Sequence, residues 1–413
     1  MSHSPRTPNP AALDLNAPPI VKTIGQRSLI IGVIASVVAL LLAFKNPNEF
    51  FRGYIISYID WLGIALGSMV IVMIRHMTGG GWGTVIRRIL GASMRTMPLL
   101  IVLFIPYAIF AVPRLYPWAL WTVSPELITN PAIREHLDKH QFILHDYLTK
   151  NGFYIRAVIY FAIWFLLQYL LSKFSFEHNK PPFADKSARF KMVSAPGIIL
   201  YALTITFAII DWVMSFDPSW ISTIYGLIFV AGQLITSLAF AIVIERILFK
   251  YEPMRSLLKP NYVHDHGNFM LAFTMVWAYF SFSQWLIIWS GNLPDEITWY
   301  FRRLHGGWEY MGLFLALFHF CVPFFILLFR PIKKNITKLV WVAVWMLIAH
   351  YVDLIWHVEP HFSETFTITL ADLVLPFAMG GIWLWYFCRN LSSVPLVPVY
   401  DATAQDVLES AHD

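Results

Sequence analysis

Ten apolar runs punctuate the chain, at about 28–44, 55–74, 97–113, 154–171, 193–214, 223–244, 269–290, 311–328, 339–357 and 367–387. Each is close to the roughly 20 residues that an α-helix needs to cross a hydrocarbon layer of about 30 Å. None alternates polar and apolar positions as a barrel strand must, and unpaired backbone is not tolerated in lipid. The expectation is an all-α polytopic membrane protein with about ten transmembrane helices, in a membrane domain covering 27–390. Residues 1–26 are polar and proline-rich (Pro5, Pro8, Pro10, Pro18, Pro19) and lack the apolar centre of a secretory signal, so they read as an uncleaved cytoplasmic tail. Residues 391–413 read as a second tail. The one long connection, 116–152, is expected outside, with Ile133 to Tyr147 at helical periodicity as a surface helix and docking surface. Pro106, Pro323 and Pro376 fall inside runs and predict kinks, with Gly380 and Gly381 close behind the last.

Composition agrees with the pattern. Hydrophobic residues make up 57% of the chain and charged residues only 13%, against about 25% charged in soluble domains. The basic residues are scattered over short loops rather than gathered in a stripe with aromatics, which excludes a nucleic-acid partner and leaves the lipid bilayer as the surroundings. Most Lys and Arg fall in the two tails and in the loops after runs 2, 4, 6 and 8. By the positive-inside rule both termini are cytoplasmic. Trp118, Trp121, Trp220, Trp289, Trp299 and Trp308 then collect near the outer boundary, as an interfacial belt would. Cys321 and Cys388 are the two cysteines, without a CxxC or CxxCH, so no iron–sulfur or covalently held haem site is expected in this chain.

The candidate chemistry lies in the ninth run. His350, Asp353 and His357 are spaced so that one helix stacks them on a single stripe over about 10 Å, with Glu359, Pro360 and His361 directly after. An ionisable group inside a span costs a few kcal/mol and marks an ion, proton or substrate path by default. The plain alternative is a static pair that locks the bundle. With the expected orientation Asp60, Asp211, Asp217, Asp353 and Asp372 all fall in the outer half, and His319 and His350 nearer the middle, as an outward half-channel would have them. The inner half offers Glu245 beside Arg246, read as an interfacial anchor, and His264, Asp265 and His266, read as a helix cap. Run 7 carries a polar stripe of Ser281, Ser283 and Gln284. His305 and His319 are fourteen residues apart, as two haem ligands on one helix would be, but no second pair at matching depths completes such a site.

Several phrases carry a resemblance. Ser194-Ala195-Pro196-Gly197, Ile210-Asp211-Trp212-Val213-Met214-Ser215-Phe216-Asp217-Pro218, Ser222-Thr223-Ile224-Tyr225-Gly226, Ala278-Tyr279-Phe280-Ser281-Phe282-Ser283-Gln284 and Trp289-Ser290-Gly291-Asn292-Leu293-Pro294 resemble the F membrane subunit of bacterial alternative complex III. That complex is a quinol:cytochrome c, or high-potential iron protein, oxidoreductase, and the subunit is related to polysulfide-reductase-type (NrfD-like) membrane proteins. The likeness runs over roughly residues 25–395. It implies two four-helix bundles plus two peripheral helices. It implies partner subunits that carry the haem c and iron–sulfur clusters, a second and related membrane protein of the complex that feeds them with quinol, and in some organisms an adjoining terminal oxidase. For this chain it implies a quinone-binding-type subunit in the inner membrane of a bacterium, with no covalently bound cofactor. The expected proton path is Asp60, Asp211, Asp217, His319, His350, Asp353, His357 and Asp372, and the expected quinone contacts are Ser281 and Gln284. A stand-alone secondary transporter, hinted at by the repeated Ile-Asp-Trp at 59–61 and 210–212, and a purely structural scaffold are the other classes the sequence admits.

Overall fold

The computed structural model describes residues 15–121, 126, 128, 131–139, 146–177, 179–180 and 187–398. Among them are ten helices long and apolar enough to cross a membrane: Pro19–Lys45, Pro47–Thr78, Gly81–Leu115, Lys150–Glu177, Ser187–Phe216, Tyr225–Leu248, Pro260–Gly291, Trp308–Leu328, Ile336–His361 and Leu370–Leu391, here spans 1 to 10. No strand occurs among the described residues. The chain is an all-α, multi-pass membrane protein. The tails before residue 15 and after 398, and His140 and His145 of the long connection, lie outside the described residues.

The helix starts are written in the local sequence. Spans 1, 2 and 7 begin on Pro19, Pro47 and Pro260, where the missing N–H would have no helical partner anyway. Asn335 caps span 9 by accepting from the N–H of Thr337 at 2.9 Å, and Thr369 with Asp372 forms a reciprocal capping box at the head of span 10. One boundary differs from expectation. The third apolar run begins at about residue 97, but the helix that carries it begins at Gly81, so residues 81–94 extend the span. Two arginines in this extension are buried: Arg87 lies over the Phe190 ring, and Arg88 donates to Ser175 and Asn179.

Spans 2 to 5 close one four-helix bundle and spans 6 to 9 a second, joined through spans 2 and 6. Those two are the buried centre, with 94% and 83% of their apolar windows inside the molecule, while span 1 has only 17%. Spans 1 and 10 pair with each other on the flank of span 2. Gly32 and Gly381 permit this, since a side chain on either would run into the other's backbone. Leu396 N–H donates to the Leu15 carbonyl at 2.7 Å, so both described ends meet on one face, the terminal face. The opposite, distal face carries the 116–149 connection, whose helix is seen at Pro131–Lys139 with Ile133 and Leu137 packed on Leu120 and Trp121, and a surface helix, Pro294–Arg303.

The expected tryptophan belt is instead mostly a plug. Trp118, Trp220, Trp299 and Trp308 are fully buried on the distal side, and Trp289 is the one largely exposed. For three of them the indole N–H explains it, since Trp118 donates to Ser215, Trp220 to the Glu296 carbonyl and Trp308 to the Ser363 carbonyl, whereas Trp299 is held by stacking on Trp220 and under the Arg303 guanidinium.

The prolines interrupt the hydrogen bonding of the spans in an unforeseen way: in span 3 the change of helix type precedes Pro113 and not the expected Pro106. Tyr107–Ala111 in span 3 and Leu315–Cys321 in span 8 are π-helical, and each is followed two residues later by a proline, Pro113 and Pro323. In π register Ala108 and Phe318 would accept from the N–H of residues 113 and 323, which prolines do not have. Side chains fill the gap: Tyr154 hydroxyl donates to Ala108 O at 3.1 Å and Trp345 Nε1 to Phe318 O at 2.6 Å. Pro376 likewise orphans the Asp372 carbonyl, which takes the Tyr351 hydroxyl at 2.7 Å. Freed carbonyls at membrane depth need such partners.

Candidate functional site

Span 9 places His350, Asp353 and His357 on one face, as their spacing requires, and turns it into the second bundle. Asp353 stands between the imidazoles, 3.6 Å from His350 Nδ1 and 3.6 Å from His357 Nε2. From span 7, Trp277 donates its indole N–H to Asp353 Oδ2 at 3.0 Å. From the π segment of span 8 comes His319, its ring edge-on to Trp277 at 4.1 Å and facing His350 at 5.9 Å. Span 6 contributes an absence of side chain: a Cβ at Gly232 would enter the His350 ring. All four ionisable groups are buried. Neither ring nitrogen of His319, nor Asp353 Oδ1, nor His357 Nδ1 has a hydrogen-bond partner among the described residues. Each such buried atom costs about 1–3 kcal/mol, so packing alone does not account for the set. The groups are nonetheless too far apart to chelate, and among the described residues no three His, Cys, Asp or Glu could hold a metal ion.

A roof closes this cluster on the distal side. Arg303, fully buried, donates to the carbonyls of Trp356 (3.1 Å) and His357 (2.7 Å) and lies 3.0 Å from His361 Nε2, its guanidinium 3.6 Å above the Trp299 ring. It thus caps the last turn of span 9 with a cation where the helix dipole is negative. Burial pulls the guanidinium down to about 9, still charged at neutral pH.

A cavity of about 660 Å³ lies against the cluster, between spans 7, 8 and 9 and the surface helix. Its polar lining is Ser281, Gln284, Tyr300, Asp353 and His357, with Trp277 between them and the rest apolar. Gln284 accepts from the Ser222 hydroxyl at 3.1 Å, while its amide nitrogen and the Ser281 hydroxyl are buried without a hydrogen-bond partner. The mouth faces sideways between spans 7 and 8, framed by Tyr279, Phe282 and Leu313, each more than half exposed on the apolar flank. A site of this size, mostly apolar with a few convergent polar groups, suits a lipid-soluble ligand with a polar head.

The other expected residues are placed elsewhere. Asp211 is held by Arg156 through two bonds of 2.8 and 2.9 Å and by the Tyr160 hydroxyl at 2.9 Å, inside the first bundle. Asp217 on the distal side takes Arg302 at 2.7 Å and the Ser219 hydroxyl. Asp372 serves the span 10 cap, near the Arg52–Glu359 pair (3.2 Å). Asp60 is half-buried in span 2 within electrostatic reach of His350, and Tyr351, bonded to Ser57 at 3.1 Å, lies within reach of Asp60 and Asp372. Glu245 is not an interfacial anchor: it is fully buried, 3.0 Å from His266 Nδ1, and His266 is bonded on its other side to the Trp82 carbonyl. His305 is exposed outside the spans, which ends the paired-ligand reading with His319.

Trp277, Gly232, Arg303, Tyr300 and Tyr351 were not singled out in the sequence, because tryptophan, glycine and tyrosine are ordinary in membrane helices. Arg303 alone carried a signal, as a cation beside a tryptophan-rich turn. No protein-family model matches this chain, and no curated protein matches it.

Proposed function

We propose that the chain is an integral subunit of a respiratory quinol:cytochrome c, or high-potential iron protein, oxidoreductase of the alternative complex III kind. In this reading it sits in the bacterial cytoplasmic membrane with both ends in the cytoplasm, and it binds a quinone through the lateral cavity. The observation that carries the proposal is the junction of a bilayer-facing apolar cavity with a buried, incompletely bonded His319–His350–Asp353–His357 cluster. A quinol gives up two protons and two electrons on oxidation. The resemblance to the F membrane subunit implies that the electrons pass to iron–sulfur and haem c centres on partner subunits. This chain supplies groups for the head and its protons: Asp353 and His357 accept a hydrogen bond from a quinol hydroxyl, and Gln284 orients the opposite oxygen. His350, Asp60 and Tyr351 continue the polar track toward Asp372 and Glu359 on the distal side.

The test begins with mild-detergent purification of the chain from its native membrane. Haem c and iron–sulfur subunits should accompany it. A short-chain quinone should bind the assembled complex, and Asp353→Asn should weaken that binding about tenfold, the size of one charge-assisted hydrogen bond, with assembly unchanged. A chain that arrives alone, colourless and active in solute uptake would be a secondary transporter instead.

A further inference from the structure

Away from this site, the seam between spans 3 and 4 carries two cavities in line. The one toward the terminal face measures about 430 Å³ and is lined by Arg95, Gln168, Ser172, Lys173, Glu177 and Lys180, with Tyr169 and Phe176 at its edge. The other measures about 630 Å³ and is wholly apolar, its wall running from Ile101 to Ile109 on span 3 and from Tyr154 to Phe165 on span 4.

The upper cavity is cationic. Arg95 is fixed by bonds to the carbonyls of Gly91 and Asn390 and the Ser393 hydroxyl, and lies over the Phe176 ring. Lys173 and Lys180 are exposed and make no ion pair among the described residues. Among the described lining residues the one carboxylate, Glu177, is engaged by Arg189 at 3.8 Å. Gln168 and Ser172 are buried and bonded to each other at 2.9 Å, a polar pair on the wall of a span just where it leaves the apolar depth.

The lower cavity begins three residues down the same helix. From Phe165 to Tyr154 is eleven residues, about 16 Å of helical rise, close to half the ~30 Å hydrocarbon layer. A fixed cation with two lysines at the boundary, in line with an apolar slot about as long as an acyl chain that reaches past the middle of the span, matches the anatomy of a phospholipid. We infer that the seam between spans 3 and 4 is a binding site for an anionic phospholipid, its phosphate held by Arg95, Lys173 and Lys180, its glycerol region by Gln168 and Ser172, and an acyl chain in the slot below. This assignment does not depend on the quinone reading. Charge complementarity selects an anionic lipid over a zwitterionic one or a partner's apolar helix.

The experiment is a native mass-spectrometric titration of the protein, purified as it occurs in its membrane, with dioleoyl phosphatidylglycerol and, separately, dioleoyl phosphatidylcholine. Each lysine near such a headgroup is worth roughly fivefold in affinity. Wild type should favour phosphatidylglycerol by about tenfold or more, and K173Q/K180Q should bring the two lipids to within about twofold. Ala162→Trp, which fills the slot, should weaken both lipids together while leaving their ratio as in wild type. The ratio within one variant is unaffected by partial unfolding. Equal binding of the two lipids to wild type, or a preference that survives K173Q/K180Q, overturns the inference. So does a photo-crosslinker at Ala162 that captures a polypeptide in place of lipid in the native membrane.

Discussion

At the scale of single residues, Asp211 and Asp353 look alike in the sequence and differ in the fold. Both are aspartates near the end of an apolar run, and both belong to the proton path that the resemblance implies. Asp211 is saturated by Arg156 and Tyr160, whereas Asp353 has one donor, Trp277, and two imidazoles just beyond bonding distance. The prediction is that Asp211→Asn destabilises the protein by about 3 kcal/mol, because a largely buried arginine loses its counter-charge. Asp353→Asn should cost much less stability and far more turnover. Thermal unfolding in detergent beside an assay of the proposed quinol oxidation separates the two. Gly232 supplies a second case. An alanine there must displace the His350 ring, with an overpacking cost of about 1–3 kcal/mol, and Gly232→Ala combined with His350→Ala should recover most of the lost melting temperature. The cluster in span 9 was legible because ionisable residues stand out in an apolar run. The arginine that silences Asp211 was not, because it lies 55 positions away on another span.

At the scale of elements, the ten helices and their order follow from hydropathy alone, whereas the caps rest on single polar side chains such as Asn335 and Thr369, and the cap read at His264, Asp265 and His266 lies inside span 7, which begins at Pro260. The prolines were visible as interruptions, but their consequence was not, since it depends on which neighbour reaches the orphaned carbonyl. Tyr351, Tyr154 and Trp345 are aromatic residues in apolar runs and look like packing until the acceptor is seen. Tyr351→Phe should leave the Asp372 carbonyl buried without a donor and lower stability by about 1–3 kcal/mol. Replacing Pro376 by alanine in the same protein restores an N–H to that carbonyl, so the loss should be smaller in the double variant than in Tyr351→Phe alone. A double-mutant cycle from thermal melts reads this coupling. The tryptophans fail as a belt for a related reason: the acceptors of Trp118, Trp220 and Trp308 come from the end of span 5, the surface helix and the turn after span 9, whose placement hydropathy does not describe.

At the scale of the whole molecule, spans 2 and 6 form a common wall between two bundles, and the pair of spans 1 and 10 leans on it from outside. The pair is held by glycine-on-glycine contact, so Gly381→Leu should pry it apart without disturbing either bundle. Cys388, buried beside Gly25, reports the event: in a Cys321→Ser background a maleimide should label it slowly in the parent and readily after Gly381→Leu. The ionisable cluster belongs to the second bundle and the cavity to its seam with the surface helix, whereas the first bundle answers with the Arg156–Asp211 pair. The π segments add a consequence for comparing chains. Each is one residue too many for the α-helix around it, so in an alignment it behaves as an insertion in the middle of a span. Against a related chain with a plain helix, a single-residue gap belongs inside 107–111 and another inside 315–321. An alignment that keeps these spans gapless rotates everything on one side of the turn by about 100°, and it puts the residues beyond His319 out of register with their counterparts.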